Sequence, residues 1–166
     1  MHYIGIDPGL TGAIAILNID KRVLFCHDLP ITTVPKGSKD KPILNANLLY
    51  KLLMKFSPCK IAVEKVHAMP GQGVTSTFNF GKSYGIILAS IDIAESEYLA
   101  VTPQAWKKMQ GLIGTDKEAA VALAIKKYPE AASSLTRKKD HGRADALLIC
   151  DYLIETTSSS NSHTEP

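Results

Sequence analysis

The sequence lacks the features that define several classes of protein. It has only three cysteines, Cys26, Cys59 and Cys150, in 166 residues, too few and too scattered for a disulfide framework or a zinc site. No apolar run approaches the roughly 20 residues of a membrane-spanning helix, so we expect no membrane association. The N-terminal MHYIGIDPGL has no basic segment and an early aspartate. We therefore expect no signal peptide and a cytoplasmic protein.

The sequence also has little excess charge of either sign. Lysine and arginine number 19 against 16 aspartates and glutamates, which leaves +3 with neutral histidines. Hydrophobic residues make up 45% and charged residues 21%, which is ordinary for a globular protein and excludes disorder of the whole chain or a coiled-coil rod. The length suits one domain with a substantial core. Taken alone, the charge argues only weakly for an anionic partner.

The hydrophobic pattern predicts an α/β protein. Three strands joined by short turns, which favour antiparallel pairing, are predicted at 2–7, 12–18 and 22–28. A loop at 29–42 follows, then helices at 44–56, 75–94, 102–110, 115–127 and 140–155, with strands at 60–66 and 97–101. This order predicts a five-stranded mixed sheet with helices on both faces. We expect residues 1–155 to form the domain and residues 156–166 to be a disordered polar tail.

Three carboxylates lie at positions that hydrophobic packing alone does not explain. Asp7 closes the first strand, Glu64 interrupts the apolar strand IAVEKV, and Asp145 borders the apolar face of the last helix. Each has an ordinary interpretation, as a turn residue or a solvated charge, although an unpaired Glu64 inside a strand is costly. Three converging carboxylates suit Mg²⁺ or Mn²⁺ better than zinc. Two such ions can activate water and stabilise the leaving oxygen of a phosphodiester.

Helical geometry suggests a fourth residue for this site. At about 100° per residue, His141 lies about 40° around the helix from Asp145, whereas Asp140 lies about 140° away. His141 therefore shares a side with Asp145 and can ligate metal or hold the attacking water. Asp140 is better placed as the N-cap of that helix. The choice between His141 and Asp140 stays open at this stage.

Basic residues cluster around these acids. A run of positive charge is usually a solvated face, but cations beside buried acids also suit a protein that binds the phosphate backbone of DNA. The residues predicted to bind DNA are Lys107, Lys117, Arg137, Lys138, Lys139 and Arg143.

Over residues 2–155 the sequence resembles the RuvC-type Holliday junction resolvases of the RNase H-like superfamily. The resemblance rests on GIDPGLTGA, AVEKV, FGKSYG, TPQAWKK and RKKDHGRADALLI, in this order. The last segment is most similar to viral and chloroplast-type members, which suggests a bacterial or virus-infected host cell. The resemblance implies an RNase H-like fold and a homodimer in DNA recombination and repair. It also implies binding of four-way DNA junctions and two symmetric nicks, with two Mg²⁺ or Mn²⁺ ions per active site.

The resemblance also assigns roles to residues. Asp7, Glu64 and Asp145 match the catalytic carboxylates of the family, and Lys107 and Lys117 match lysines near the scissile phosphate. Because a four-way junction has approximate two-fold symmetry, an isologous dimer would present two active sites to opposing strands. The helix predicted at 75–94 is apolar around most of its circumference, so we expect it to form the dimer interface.

The sequence departs from the family pattern at two positions. Bacterial members have an acidic residue or histidine three positions before the last catalytic aspartate, where this chain has Gly142; His141 is the best replacement. His67 stands in the loop where bacterial members place an aromatic residue that wedges into DNA.

Three alternative functions follow from the same residues. One is another RNase H-like nuclease, for RNA–DNA hybrids or flaps. A second is an ATPase of the actin or sugar-kinase type, because DPGLTGA resembles a phosphate-binding hairpin, although 166 residues leave no room for its second lobe. The third is a catalytically inactive DNA-binding protein, which would have no reason to keep a bare acidic cluster beside DNA.

Overall fold

The computed structural model describes residues 1–36, 39–67, 71 and 73–161. The strands are β1 (His2–Asp7), β2 (Ala13–Asn18), β3 (Val23–Asp28), β4 (Ile31–Lys36), β5 (Lys39–Leu44), β6 (Cys59–Glu64) and β7 (Tyr98–Val101). The helices are α1 (Ala46–Lys55), α2 (Val74–Ile93), α3 (Pro103–Met109), α4 (Lys117–Lys127) and α5 (His141–Asn161), with a 3₁₀ helix at Pro129–Ser134. Within the described ranges, no helix is long and apolar enough to cross a bilayer.

Five strands form one mixed sheet in the order β3-β2-β1-β6-β7. β1 is antiparallel to β2 and parallel to β6, β2 is antiparallel to β3, and β6 is parallel to β7. The short turns between the first three strands account for the antiparallel half, and the crossover through α2 accounts for a parallel pair. The predicted five-stranded mixed α/β sheet is confirmed.

The sheet separates two hydrophobic cores, and β1 contributes to both. Tyr3 packs on the face covered by α3, α4 and α5, whereas Ile4 and Ile6 pack on the face covered by α1 and α2. This alternation follows from the two-residue period of a strand. Because both faces are covered, the middles of the central strands are buried, at 3–6 of β1, 13–17 of β2 and 61–63 of β6, and polar residues stand at their ends.

Helix α5 packs closely on β1. A Cβ atom on Gly5 would lie 2.2 Å from the carbonyl oxygen of Ala146 and 2.5 Å from the amide nitrogen of Cys150. The thiol of Cys150 also lies 3.1 Å from the carbonyl oxygen of Tyr3, to which it donates a hydrogen bond. The absence of a side chain at Gly5 therefore lets α5 lie directly on the central strand.

The predicted loop at 29–42 is wrong. β4 and β5 pair there as an antiparallel hairpin that forms a separate two-stranded sheet, with Thr33 opposite Pro42 and Pro35 opposite Asp40. Proline lacks the N–H group that a ladder needs, so its presence argues against a central strand. In a two-stranded sheet both strands are edges, where a proline can face away from the partner.

The tail prediction is wrong for residues 156–161, which continue α5. Extending an existing helix adds a hydrogen bond for each residue fixed, without a new nucleation step. The hydroxyl of Thr156 donates to the carbonyl oxygen of Tyr152 one turn back, at 2.9 Å, so this polar side chain is compatible with the helix. The predicted tail residues 162–166 lie outside the described residues.

The start of α4 also differs from the prediction. The sequence predicts a helix from residue 115, but the N-cap is Asp116, whose carboxylate accepts a hydrogen bond from the amide of Ala119 at 2.9 Å. The hydroxyl of Thr115 donates instead to the carbonyl oxygen of Leu112. The helix therefore starts at Lys117.

Replacing Gly5 by alanine should lower the free energy of unfolding by about 3 kcal/mol, because the new methyl group overlaps backbone atoms of α5 that cannot turn aside. Urea unfolding measures this change. The matched control is Gly73→Ala at the exposed N-cap of α2, where a Cβ atom meets nothing within 4 Å among the described residues and the φ of −64° is one that alanine adopts readily. Wild-type stability in the Gly5→Ala variant would contradict the close approach.

Candidate active site

The three carboxylates predicted from the sequence come together at one edge of the sheet. Asp7 ends β1 and Glu64 ends β6, and these strands are parallel neighbours in which Ile6 pairs with Val63. The two acids therefore follow adjacent strand ends. Asp145 lies in the second turn of α5, which packs across β1. The position of α5 on the sheet thus adds the third acid to the first two.

These acids interact electrostatically. Burial is the largest cause of the raised pKa of Asp7, which lies well above its ordinary range, and the charges of Asp145 and Glu64 raise it further. Burial, with a contribution from Glu64, raises the pKa of Asp145 to about 7. Three partly buried negative charges that oppose one another are typical of a functional site rather than of a structural ion-pair network.

Two lysines partly offset this negative charge. Lys107 lowers the pKa of all three acids, and Lys117 lowers the pKa of Asp7 and Asp145. Both lysines line a small cleft of about 80 Å³ together with Asp145. The structure therefore brings together Asp7, Glu64, Asp145 and the two lysines that the resemblance assigns to the scissile phosphate.

Trp106 is part of this site, and the sequence analysis missed it. Its side chain is fully buried, and its indole Nε1 donates a hydrogen bond to Oε2 of Glu64 at 2.7 Å. Burial raises the pKa of Glu64, and this hydrogen bond opposes the rise. Trp106 thus fixes the orientation of the Glu64 carboxylate. The available signal was the only tryptophan of the chain, standing directly before Lys107 and Lys108.

The donor set agrees in chemistry with the predicted metal. Carboxylate oxygens are ligands for Mg²⁺ and Mn²⁺, and a bound cation would relieve the repulsion that raises the pKa values of Asp7 and Asp145. Within the part of the chain that the structure describes, no three His, Cys, Asp or Glu side chains are arranged to hold one ion. An ion here would take its protein ligands from Asp7, Glu64 and Asp145 and complete its coordination with water or substrate oxygens, as Mg²⁺ commonly does.

Of the two alternatives for a fourth residue, Asp140 is already engaged. Its carboxylate is 1% exposed and accepts hydrogen bonds from the backbone amide and the Nε of Arg137, at 2.6 and 2.7 Å. Asp140 directly precedes α5, as predicted for an N-cap, but its backbone carbonyl rather than its carboxylate bonds to the amides of Arg143 and Ala144. The carboxylate is therefore held within the turn before the helix.

His141 is the first residue of α5 and is partly exposed. Its Nδ1 lies 3.4 Å from the carbonyl oxygen of Lys138, and its side chain lines a groove next to Lys117. Its role in catalysis or metal binding stays a prediction.

Gly142 lies directly against the acidic site. A Cβ atom there would lie 2.9 Å from Oδ2 of Asp7 and 3.2 Å from the carbonyl oxygen of Thr11. Gly142, where the sequence departs from the family pattern, is therefore a position from which a side chain would contact Asp7. In this chain the backbone of α5 occupies that place.

The predicted DNA-binding residues near the start of α5 are of two kinds, exposed lysines and arginines held in ion pairs. Lys138 and Lys139 are exposed. Arg143 is only 13% exposed and pairs with Asp28 at 2.6 Å, and Arg137 bridges Asp28 and Asp140. These ion pairs tie the end of β3 to the start of α5. The structure thus gives both arginines a role in the fold, and their contact with DNA stays a prediction.

His67 is exposed beyond the end of β6. Most of the loop that follows it, at 68–70 and 72, lies outside the described residues. The structure therefore adds nothing to the role of His67 in DNA binding.

Comparison with known proteins identifies the fold. No family model and no curated protein sequence matches the chain. Thermus thermophilus RuvC is 17% identical with a TM-score of 0.59, over 96% of this chain and 97% of that chain. The same protein in complex with a Holliday junction substrate gives a TM-score of 0.65 at 17% identity and the same coverage. The yeast mitochondrial Holliday junction resolvase Ydc2 gives 0.57 at 17% identity, over 96% of this chain and 80% of that chain. The chain thus has the fold of these structures.

Metal-free protein should lose stability as the pH rises from about 4 to about 7. An unfolded aspartate releases its proton near pH 4, whereas folded Asp145 keeps it until about pH 7. The folded state binds more protons within this window, so stability falls as the pH rises. Thermal unfolding in EDTA at pH 5 to 8 should show this fall. Asp145→Asn should be less sensitive to pH and more stable at pH 8, and Asp92→Asn, at an exposed position, is the control. A wild-type protein as stable at pH 8 as at pH 5 would contradict the repulsion.

Gly142→Ala should weaken binding of Mg²⁺ or Mn²⁺ by roughly 10- to 100-fold, because the added methyl group displaces the Asp7 carboxylate. Stability should change by less than about 1 kcal/mol, since the flexible end of Asp7 can move. Calorimetric titration with either metal measures the affinity, and Gly73→Ala, at the exposed N-cap of α2, serves as the control. Unchanged metal affinity would show that the contact with Gly142 does not position Asp7.

Proposed function

We propose that this protein is a metal-dependent Holliday junction resolvase that makes two symmetric nicks in four-way DNA junctions. The convergence of Asp7, Glu64 and Asp145 opposite Lys107 and Lys117 supports this proposal most strongly. This arrangement lies on the fold shared with RuvC bound to a junction and with the mitochondrial resolvase. It combines the two requirements of phosphodiester hydrolysis, oxygen ligands for hard cations and positive charge for phosphate.

In this mechanism the carboxylates of Asp7, Glu64 and Asp145 hold the ions. When bound, two Mg²⁺ or Mn²⁺ ions supply a water nucleophile and neutralise charge on the phosphodiester. The hydrogen bond from Trp106 keeps the Glu64 carboxylate directed to the site. Lys107 lies close enough to interact with all three acids and is available to attract the phosphate that is cut.

His141 acts as the proton acceptor in this proposal. With Nδ1 directed at the carbonyl oxygen of Lys138, the neutral tautomer that donates from Nδ1 leaves Nε2 as the acceptor. As the water oxygen bonds to phosphorus and the bond to the leaving sugar oxygen breaks, Nε2 takes a proton from that water and the leaving oxygen gains one from solvent. Because His141 begins α5, it lies one helical turn from Asp145 and on the same side of the helix.

A homodimer through α2 supplies the second active site that symmetric cleavage needs. Val74, Phe78 and Ile93 of this helix are 87%, 72% and 67% exposed. Between them, Gly81 and Gly85 leave open space, since a Cβ atom at either position would meet nothing within 4 Å among the described residues. Apolar ends and a small-residue middle suit the close crossing of two identical helices. An isologous contact of this kind matches the two-fold symmetry of the junction.

Glu64→Gln should lower the rate of junction cleavage by at least about 100-fold while binding of the junction persists, because the variant loses a ligand charge and not the DNA surface. Purified protein is incubated with a four-way junction, a flap, an RNA–DNA hybrid and a linear duplex, with and without Mg²⁺. We expect paired nicks in the junction alone, and only with metal. Glu97→Gln, at an exposed position before β7, is the matched control.

Two outcomes of this experiment would contradict the proposal. Equal cutting of flaps or hybrids would indicate a different RNase H-like nuclease. Junction binding without cleavage by the wild-type protein in Mg²⁺ or Mn²⁺ would indicate an inactive DNA-binding protein.

Gly85→Glu should convert the dimer into a monomer, because it places two like charges where the helices cross. Sedimentation velocity measures the change, and circular dichroism checks that the monomer is folded. Ser133→Glu, also at an exposed position but outside α2, should stay dimeric. An intact dimer in the Gly85→Glu variant would exclude this face of α2 as the interface.

A further inference from the structure

A groove of about 810 Å³ runs beside the active site, between α4 and the turn that leads into α5. We name it the α4 groove. Its floor is apolar and consists of Val121, Ala122 and Ile125, which lie on one side of α4. Its rim is basic and includes Lys117, Lys138 and Lys139. The proposed nuclease activity uses only Lys117 of these residues for the reacting phosphate.

The α4 groove opens onto the active site. Lys117 lines the groove and also lines the cleft that contains Asp145. His141, at the start of α5, forms part of the groove wall. A DNA strand with its scissile phosphate at the acids would therefore have its neighbouring nucleotides within reach of this groove.

The charge of the rim selects an anionic ligand. Glu118 is the acidic residue of the lining, against Lys117, Arg137, Lys138 and Lys139. Arg137 and Lys139 pair with Asp28, whereas Lys138 makes no ion pair with any residue that the structure describes. Lys138 is also exposed, so its ammonium group is available to a ligand phosphate.

The apolar floor of the groove indicates that the ligand carries an apolar group as well as an anionic one. A groove for phosphate alone needs no apolar floor, and one for an apolar ligand alone needs no lysines. A nucleotide combines both, since its base has a flat apolar face and its phosphate is anionic. Sites for single-stranded nucleic acid combine a basic path with aromatic side chains on which the bases stack, and in the α4 groove aliphatic side chains would offer the apolar surface instead.

We propose that the α4 groove binds an unstacked nucleotide next to the cleaved phosphate, with its base on Val121 and Ile125 and its phosphate on Lys138. A base inside a duplex presents only its edges, so its face reaches the floor only after it leaves the stack. The strand-exchange point of a four-way junction interrupts stacking and offers such bases. This inference rests on the proposed function, because it takes the ligand to be the strand that is cut.

Binding of a short single strand tests the groove without any cleavage. A labelled oligothymidine of about 12 nucleotides is titrated in fluorescence anisotropy against the wild-type dimer and against Ala122→Trp, in which the indole fills the groove from an exposed position. The affinity should fall by roughly 5- to 100-fold. Lys126→Trp, on the same helix but outside the lining of the groove, should bind like the wild type even though it loses a positive charge. Thermal unfolding confirms that both variants fold.

A second variant distinguishes loss of the ligand site from a local distortion that the tryptophan causes. Lys138→Glu alters only an exposed charge, and it should weaken oligothymidine binding and reduce the dependence of affinity on salt. Wild-type affinity in both Ala122→Trp and Lys138→Glu would overturn the proposal. So would a wild-type protein that binds duplex DNA but not the single strand, which would leave the groove to a peptide or another ligand.

A junction with 2-aminopurine next to the cut site tests the unstacking itself. The fluorescence of this base rises when it leaves the stack, and Glu64→Gln prevents cleavage during the measurement. Fluorescence should rise on binding of Glu64→Gln and not on binding of the double variant with Ala122→Trp. An equal rise with both proteins would overturn the assignment of the groove. Failure of the nuclease proposal gives a different result, namely groove-dependent oligothymidine binding by a wild-type protein that cuts no junction.

Discussion

The contact between β1 and α5 at Gly5 is the constraint on which the candidate active site depends. Because Gly5 has no side chain, the backbone of α5 rests on the central strand within a distance that no other residue permits. Asp145 is next to Ala146, whose carbonyl oxygen makes this contact. The same contact therefore excludes water from the core and brings an acid of α5 to the strand end at Asp7. Gly142, one turn earlier in α5, likewise lets the helix backbone lie directly against Asp7.

Ion pairs fix α5 at two further points. Near its start, Arg143 pairs with Asp28 of β3. In its middle, the buried carboxylate of Asp151 accepts hydrogen bonds from Lys21, Lys127, Gln110 and Tyr128. Such a buried charge is tolerated because its partners come from several elements, and losing one would leave an incompletely paired charge. The helix is thereby held rigidly enough to keep Asp145 close to like charges, an arrangement that costs stability and serves function.

The structure brings together acids that the sequence singled out because each contradicted its own surroundings. Glu64 in an apolar strand and Asp145 beside an apolar helix face were recognisable because burial of an unpaired carboxylate is costly. Trp106 gave no such signal, since a buried tryptophan is ordinary, and only the distance to Glu64 shows that it contacts that carboxylate. The hairpin of β4 and β5 was missed for a similar reason. Pro35 and Pro42 argue against a strand, and only the pairing of two edge strands removes that objection.

The sequence by itself determined the five strands of the main sheet with their mixed pairing, the five α-helices and the three acids that the structure brings together. These follow from local periodicity, short turns and the cost of misplaced charge, which neighbouring residues reveal. The tertiary structure alone decided which of the other predicted DNA-binding cations are held in ion pairs. Arg143 is taken up by Asp28, whereas Lys138 makes no ion pair with any residue that the structure describes, although both stood in the same basic segment of the sequence. Charge pairing depends on distances between residues far apart along the chain, and only the packing of α5 on the sheet sets those distances.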